Sequence, residues 1–82
     1  MPSVSSGMLS QRLRQLRQSK GMTLQQVAER LGVTRASVSK WEGGSSRPDM
    51  SRLDGLAQLF GVSTHYLLGL SASPNLKDLP VI

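Results

Sequence analysis

The 82-residue sequence lacks cysteine altogether and contains one histidine and only three aromatic residues. Without cysteine, disulfide bonds, thiolate metal sites and cysteine nucleophiles are excluded. A lone histidine argues strongly against a histidine-based metal site or a catalytic triad. We therefore predict no enzyme, no metal site and no bound cofactor.

Long apolar runs are also missing, and the longest spans three residues, as in Tyr66-Leu67-Leu68. No transmembrane span or signal-peptide core can be drawn, so a bacterial cytoplasm or a phage-infected host cell is the predicted location. Acidic residues number 5 against 10 basic ones, which leaves a net charge of +5. This excess favours a polyanionic partner, with nucleic acid as the first candidate.

Composition divides the chain into three segments. Residues 1–7 hold Pro2, Gly7 and three serines and predict a flexible leader, whereas residues 71–82 hold Pro74 and Pro80 and predict a tail or linker. Residues 8–70 show helical spacing almost throughout, without strand alternation or an internal repeat. The predicted fold class is all-α, with five short helices in one domain.

Each predicted helix combines an apolar stripe with start and stop residues. The first, over about residues 8–19, carries Leu9, Leu13 and Leu16 after a cap at Ser6 or Gly7, with Arg12 and Arg14 interpreted as a solvated face. Each of the other four predicted helices begins after a capping residue and ends at glycine. The capping and terminating residues are Thr23 and Gly32, Thr34 and Gly43-Gly44, Asp49 or Ser51 and Gly61, and Ser63 and Gly69.

The second and third helices have the spacing of a helix-turn-helix. Ala28 is small enough for the helices to approach, and Gly32 can adopt the positive φ of a sharp turn. Val33 and Val38 supply apolar anchors beneath the turn and on the third helix. This spacing predicts that the third helix points outward for insertion into the DNA major groove.

The segments RLRQLRQSKGMT, TLQQVAERLGVTRASVSKWEGG, RPD and LDGLAQLFGVSTHYLLG together resemble the Cro and phage-repressor class of helix-turn-helix proteins, also called the XRE family. The resemblance covers Leu9 to Gly69. It implies a five-helix repressor-like domain that binds operator DNA as a two-fold dimer, with Tyr66 as either a core residue or a dimer contact.

By position, the resemblance implies that bases are read by Arg35, Ala36, Ser39 and Lys40. The chemistry agrees, since arginine can donate two hydrogen bonds to guanine and an alanine methyl can contact thymine. Contacts to the DNA backbone are implied for residues at the helix starts and in the following loop, namely Thr23, Gln25, Gln26, Thr34, Ser37, Ser45, Ser46, Arg47 and Arg52. Ser37 could equally stabilise the start of its helix.

The resemblance also bears on three further positions. Arg17 and Glu42 match a largely buried ion pair that joins the first helix to the end of the third. Leu24 departs from the family, which commonly has glutamine there to contact phosphate and to brace a recognition residue. That bracing contact is in doubt here, and whether Gln25 replaces it stays open.

The tail ASPNLKDLPVI resembles the junction between a phage-repressor DNA-binding domain and a LexA-type self-cleaving domain, although a simple disordered terminus is the alternative. If the junction exists, the fragment should dimerise only weakly. We predict a transcriptional repressor of phage or prophage type that acts at a pseudo-palindromic operator. The rivals are a toxin–antitoxin autoregulator, with a toxin partner, and a protein-interaction module, such as the partner of an antirepressor.

Overall fold

Five α-helices follow one another through tight turns in the computed structural model, which describes residues 4–72 and residue 74. They are α1 (Val4–Ser19), α2 (Leu24–Leu31), α3 (Arg35–Gly43), α4 (Met50–Phe60) and α5 (Thr64–Leu67). No strand occurs in this part of the chain. The predicted all-α, five-helix architecture is confirmed, and none of the described helices is long and apolar enough to cross a membrane.

Local side-chain caps explain where these helices begin. Thr23 and Gln26 form a reciprocal capping box, in which each side-chain oxygen accepts the other residue's backbone N–H at 2.8–3.1 Å. Asp49, rather than Ser51, caps α4 by accepting the N–H of Arg52 at 2.8 Å. Since a capping side chain contributes about 1 kcal/mol, these caps help to stabilise helices of only two or three turns.

One apolar core holds the five helices together. The helix α1 packs against α3 and α5, α2 packs against α3 and α4, and α4 packs against α5. Every helix contributes to the core, whose buried apolar residues are Leu9, Leu13, Val27, Ala28, Val38, Trp41, Leu53, Leu56, Ala57, Phe60, Val62 and Leu67. Short helices therefore suffice, because each one packs against at least two neighbours.

The start of α1 differs from the prediction. The helix begins at Val4 rather than near residue 8, so Ser6 and Gly7 lie inside it and cannot be its cap. Serine and glycine are unfavourable within helices, which is why the sequence indicated a break. A helix that is already fixed by packing extends at low cost, since each added residue gains a hydrogen bond without a new nucleus.

Arg12 does not lie on a solvated face as predicted. Its guanidinium lies 4.0 Å from the centroid of the Tyr66 ring and donates to the carbonyl oxygens of Tyr66 and Ser71. The backbone N–H of Ser63 also donates to the carbonyl of Pro74 at 3.2 Å. The first part of the predicted tail thus contacts the domain, whereas residues 73 and 75–82, with most of the proposed junction, lie outside the described residues.

Candidate nucleic-acid interface

The turn between α2 and α3 fixes how α3 is presented. Gly32 has a φ of +69°, and its N–H closes α2 on the carbonyls of Ala28 and Glu29. The N–H of Val33 donates to the Ala28 carbonyl at 3.0 Å. A Cβ on Gly32 would meet nothing within 4 Å, so glycine is needed there for its conformation rather than for space.

Close packing beneath this turn sets the rotation of α3 about its own axis. Ala28 is fully buried at 0% exposure, and Val38 and Trp41 are buried on the inner side of α3. Val33 packs against the same core. With these residues inward, the helical period turns the opposite side of α3 toward solvent.

That opposite side contains all four residues predicted to read bases. Arg35, Ala36, Ser39 and Lys40 are each exposed, and their spacing of i, i+1, i+4 and i+5 puts them on one side of the helix. We call these four residues the outward face of α3. The structure brings them together on an accessible surface, while their contacts with DNA remain a prediction.

The first turn of α3 is organised by Thr34. Its Oγ1 accepts the N–H of Ser37 at 3.1 Å and lies 3.0 Å from the Ser37 hydroxyl. Ser37 therefore stabilises the helix start, which was one of its two predicted roles. The first N–H groups of a helix lack intrahelical partners, and this end of α3 carries partial positive charge that suits a phosphate oxygen.

The loop after α3 is held close to the last turn of that helix. Gly44 ends α3 with a φ of +81°. The carbonyl of Lys40 then accepts the backbone N–H groups of Ser45 and Ser46 at 3.0 and 3.4 Å. Ser45, Ser46 and Arg47 are all exposed, so this loop extends the accessible polar surface beyond the end of α3.

The start of α2 lies beside the outward face of α3. Leu24 and Gln25 line one open recess together with Arg35 and Arg17. Thr23, Gln25 and Gln26 are exposed, whereas Leu24 is half-buried and packs against the core. Leucine has no polar side-chain atom, so the bracing contact that glutamine makes in the family cannot form at this position. Arg52, also predicted to contact the backbone, is half-buried in the first turn of α4.

Arg17 and Glu42 form the ion pair that the resemblance implies. Arg17 Nε lies 2.6 Å from Glu42 Oε2, and Nη2 donates to Oε1 at 3.0 Å. The side chains are 16% and 6% exposed, respectively. Arg17 Nη1 also donates to the carbonyl of Met22 at 2.9 Å, which fixes the turn leading into α2.

The positive charge of Arg17 in this pair is secure. The hydrogen bond with Glu42, reinforced by the charge of its carboxylate, raises the pKa of Arg17, although burial opposes the rise. The guanidinium therefore stays protonated throughout the ordinary pH range. Such a pair is better evidence for a fixed arrangement of α1 and α3 than for a net gain in stability.

Sequence reasoning missed the contacts that two other residues of α1 make with α3. Ser10 Oγ donates to the carbonyl of Trp41 at 2.9 Å. Arg14, predicted to be solvated, is 56% exposed, yet its Nε lies 3.7 Å from Glu42 Oε1. Their place in the sequence could have indicated these contacts. Ser10 and Arg14 come one residue after Leu9 and Leu13 and therefore border the apolar stripe of α1.

A family model described as helix-turn-helix matches residues 13–67. The chain belongs to this family. The match confirms the resemblance to the Cro and phage-repressor class, whose members are DNA-binding transcriptional regulators rather than enzymes.

Two curated helix-turn-helix relatives come from Bacillus subtilis strain 168. The chain is 41% identical to the HTH-type transcriptional regulator YobD over 70 residues, which cover 85% of this chain and 62% of YobD. It is 43% identical to the SPbeta prophage-derived regulator YonR over 73 residues, which cover 88% of this chain and 68% of YonR. The chain thus spans about two thirds of the length of either relative.

The fold also matches that of a solved helix-turn-helix structure. The master regulator for biofilm formation SinR, in a crystal structure with DNA, superposes with a TM-score of 0.69 and 34% sequence identity. The superposition covers 74% of this chain and 98% of that chain.

Proposed function

We propose that this helix-turn-helix chain binds a pseudo-palindromic DNA operator as a two-fold dimer and represses transcription by covering a promoter. The observation that carries the proposal is the outward face of α3. Four side chains able to contact base edges lie together on one exposed side, on a helix whose other side is buried. The protein would act in the cytoplasm, where bacterial and phage DNA lie.

Each residue of this face has a defined chemical role in the proposal. Arg35 donates a pair of hydrogen bonds to O6 and N7 of guanine, and Lys40 donates to guanine or to phosphate. Ala36 contacts a thymine methyl group, and Ser39 acts directly or through a bound water. These contacts select a sequence, because the major groove presents a different pattern for each base pair.

Flanking residues would hold the DNA backbone and set the register. The N-terminal turns of α2 and α3 offer backbone N–H groups beside Thr23 and Thr34, and Gln25 and Gln26 add side-chain donors. On the other side of α3, the exposed loop of Ser45, Ser46 and Arg47 supplies hydroxyl groups and a positive charge. Contacts of this kind position the protein without reading sequence.

The relatives support the regulatory part of the proposal. YonR is a prophage-derived transcriptional regulator, and SinR has been crystallised in complex with DNA. A protein-interaction module would instead need an exposed apolar patch on α3. Among the described residues, the large exposed apolar side chains are Met50, on α4, and Leu70, after α5.

Selection of bound sites from random double-stranded DNA tests the proposal. We expect one enriched sequence with two inverted half-sites whose centres are about 34–36 Å apart, one helical turn. The absence of any enriched sequence would contradict sequence-specific binding. A single unrepeated half-site would contradict the dimer alone, and activation of a reporter placed behind the selected site would contradict repression.

A further inference from the structure

An open recess lies between the start of α2 and the outward face of α3. It is lined by Leu24, Arg35, Ala36 and Ser39. Leu24 and Ala36 give it two apolar walls, whereas Arg35 and Ser39 give it hydrogen-bonding groups. We call it the α2–α3 recess.

Leu24 is the unusual member of this recess. It is half-buried, so part of its side chain packs against the core while the remainder borders the recess. A leucine cannot donate to phosphate. Its exposed part can still gain from contact with DNA if an apolar group of a base covers it, because apolar surface is then removed from water.

We propose that the α2–α3 recess receives the 5-methyl group of a pyrimidine, and specifically of thymine. Leu24 is then a specificity-determining residue, although it lies outside the recognition helix. This inference rests on the proposed DNA-binding function and adds one element of operator sequence to it. Because Arg35 lines the same recess, the thymine stands next to the base pair that Arg35 contacts.

The polar side of the recess favours thymine over 5-methylcytosine, which carries the same methyl group. Thymine presents its O4 acceptor beside the methyl group in the major groove, whereas cytosine presents an N4 amino donor there. The Arg35 guanidinium consists only of donors, so it matches O4 and opposes the amino group. Ser39 can donate to O4 as well.

Uracil provides a direct test, since it differs from thymine only by the absent methyl group. In the operator obtained by selection, each thymine of one half-site is replaced in turn by uracil, and the affinity of the full 82-residue chain is measured. At the position beside the Arg35 contact we expect uracil to weaken binding about threefold to fivefold, the effect of one buried methyl group.

Protein variants assign that effect to the recess. Leu24→Ala should reduce the thymine-to-uracil affinity ratio to below about twofold. The control Leu59→Ala truncates another half-buried leucine, which lines a different recess with Lys20 and Arg30, and should keep the full ratio. Loss of folded protein lowers both affinities equally and leaves the ratio unchanged. If Leu24→Ala does not fold, Ala36→Gly removes the other apolar wall and should reduce the same ratio.

The outcomes separate this inference from the proposed function. A strongly preferred operator that shows no uracil effect at any position overturns the recess assignment and leaves operator binding intact. A uracil effect that survives in both Leu24→Ala and Ala36→Gly also overturns it. Tighter binding of a 5-methylcytosine–guanine pair than of thymine–adenine at that position overturns the choice of thymine. If no sequence is enriched, the proposed function fails and this inference fails with it.

Discussion

Both sides of α3 carry charged residues, but in opposite surroundings. On the inner side, the charged Glu42 is buried with Val38 and Trp41 and is held by Arg17. On the outer side, Arg35 and Lys40 are exposed. One helix thus contains a charge that is committed to the fold and charges that are available to a partner, and helical rotation alone separates them.

The same difference separates Arg12 and Arg17 from Arg35 and Arg47. Arg12 and Arg17 lie in α1 and bond with other parts of the domain, either through carbonyl oxygens or through Glu42. Arg35 and Arg47 belong to the exposed surface around α3. The net charge of +5 therefore does not describe the DNA-binding surface, because part of it stabilises the packing of α1. Substitutions on the two sides should have separable effects.

The largest expected effect is the loss of the inner ion pair. Arg17→Ala leaves the buried Glu42 carboxylate with only the more exposed Arg14, 3.7 Å away, and should lower the free energy of unfolding by about 3 kcal/mol or more. The matched control Arg14→Ala, at the same carboxylate but 56% exposed, should cost less than about 1 kcal/mol. Urea unfolding of both variants measures the contrast. Equal losses would show that burial of the Arg17–Glu42 pair is not what distinguishes the two arginines.

On the outer side, the largest single effect should come from Arg35. Arg35→Ala should weaken operator binding by about 1–3 kcal/mol and relax selectivity at one base pair, with little change in melting temperature. Arg30→Ala provides a charge-matched control, since Arg30 is exposed on α2 and lines a recess away from α3. Titration with the operator and with random DNA tests this. The same loss on both DNAs would contradict base reading by Arg35.

The turn between α2 and α3 can be tested with two glycines. Gly32→Ala forces a φ of +69° on a residue with a Cβ and should destabilise the domain by about 1–2 kcal/mol. Gly43 lies in α3 with ordinary helical geometry, and a Cβ there meets nothing within 4 Å. Gly43→Ala should therefore be neutral or stabilise by up to about 1 kcal/mol. If thermal melting shows the same change in both variants, the left-handed turn is not the reason for glycine at position 32.

Arg47 should give the smallest effect, and one that differs in kind from that of Arg35. Arg47→Ala should weaken binding to all sequences alike and reduce the slope of log affinity against log salt by about 0.9, the value of one phosphate contact. Arg47→Lys keeps the charge and should keep the slope. Affinity measured across a series of salt concentrations provides the test, and a loss confined to the operator would assign Arg47 to base reading instead.

Much of the fold was predictable because its signals are local. Thr23, Thr34 and Ser63 cap the helices that they were predicted to cap, since a capping bond spans only three residues. Gly32 and Gly61 end helices with the positive φ that favours glycine. The outward face of α3 was predictable for the same reason, because burial of Val38 and Trp41 determines which side of a short helix is exposed.

What the sequence could not predict depends on residues that are far apart in the chain. Arg12 contacts Tyr66 and a carbonyl near the end of α5, and no local pattern tells a solvated arginine from one with such a partner. The early start of α1 depends on packing of the rest of that helix. The α2–α3 recess is formed by two helices at once, so it appears only when Leu24 and Arg35 are placed side by side.

The most direct test of the central claim replaces Arg35, Ser39 and Lys40 together with alanine. The measurement is the ratio of affinities for the selected operator and for random DNA of equal length. We expect the ratio to fall on the order of a hundredfold or more, while the melting temperature stays within a few degrees of the wild type, because all three side chains are exposed. An unchanged ratio in a folded triple variant would show that the outward face of α3 does not read the operator.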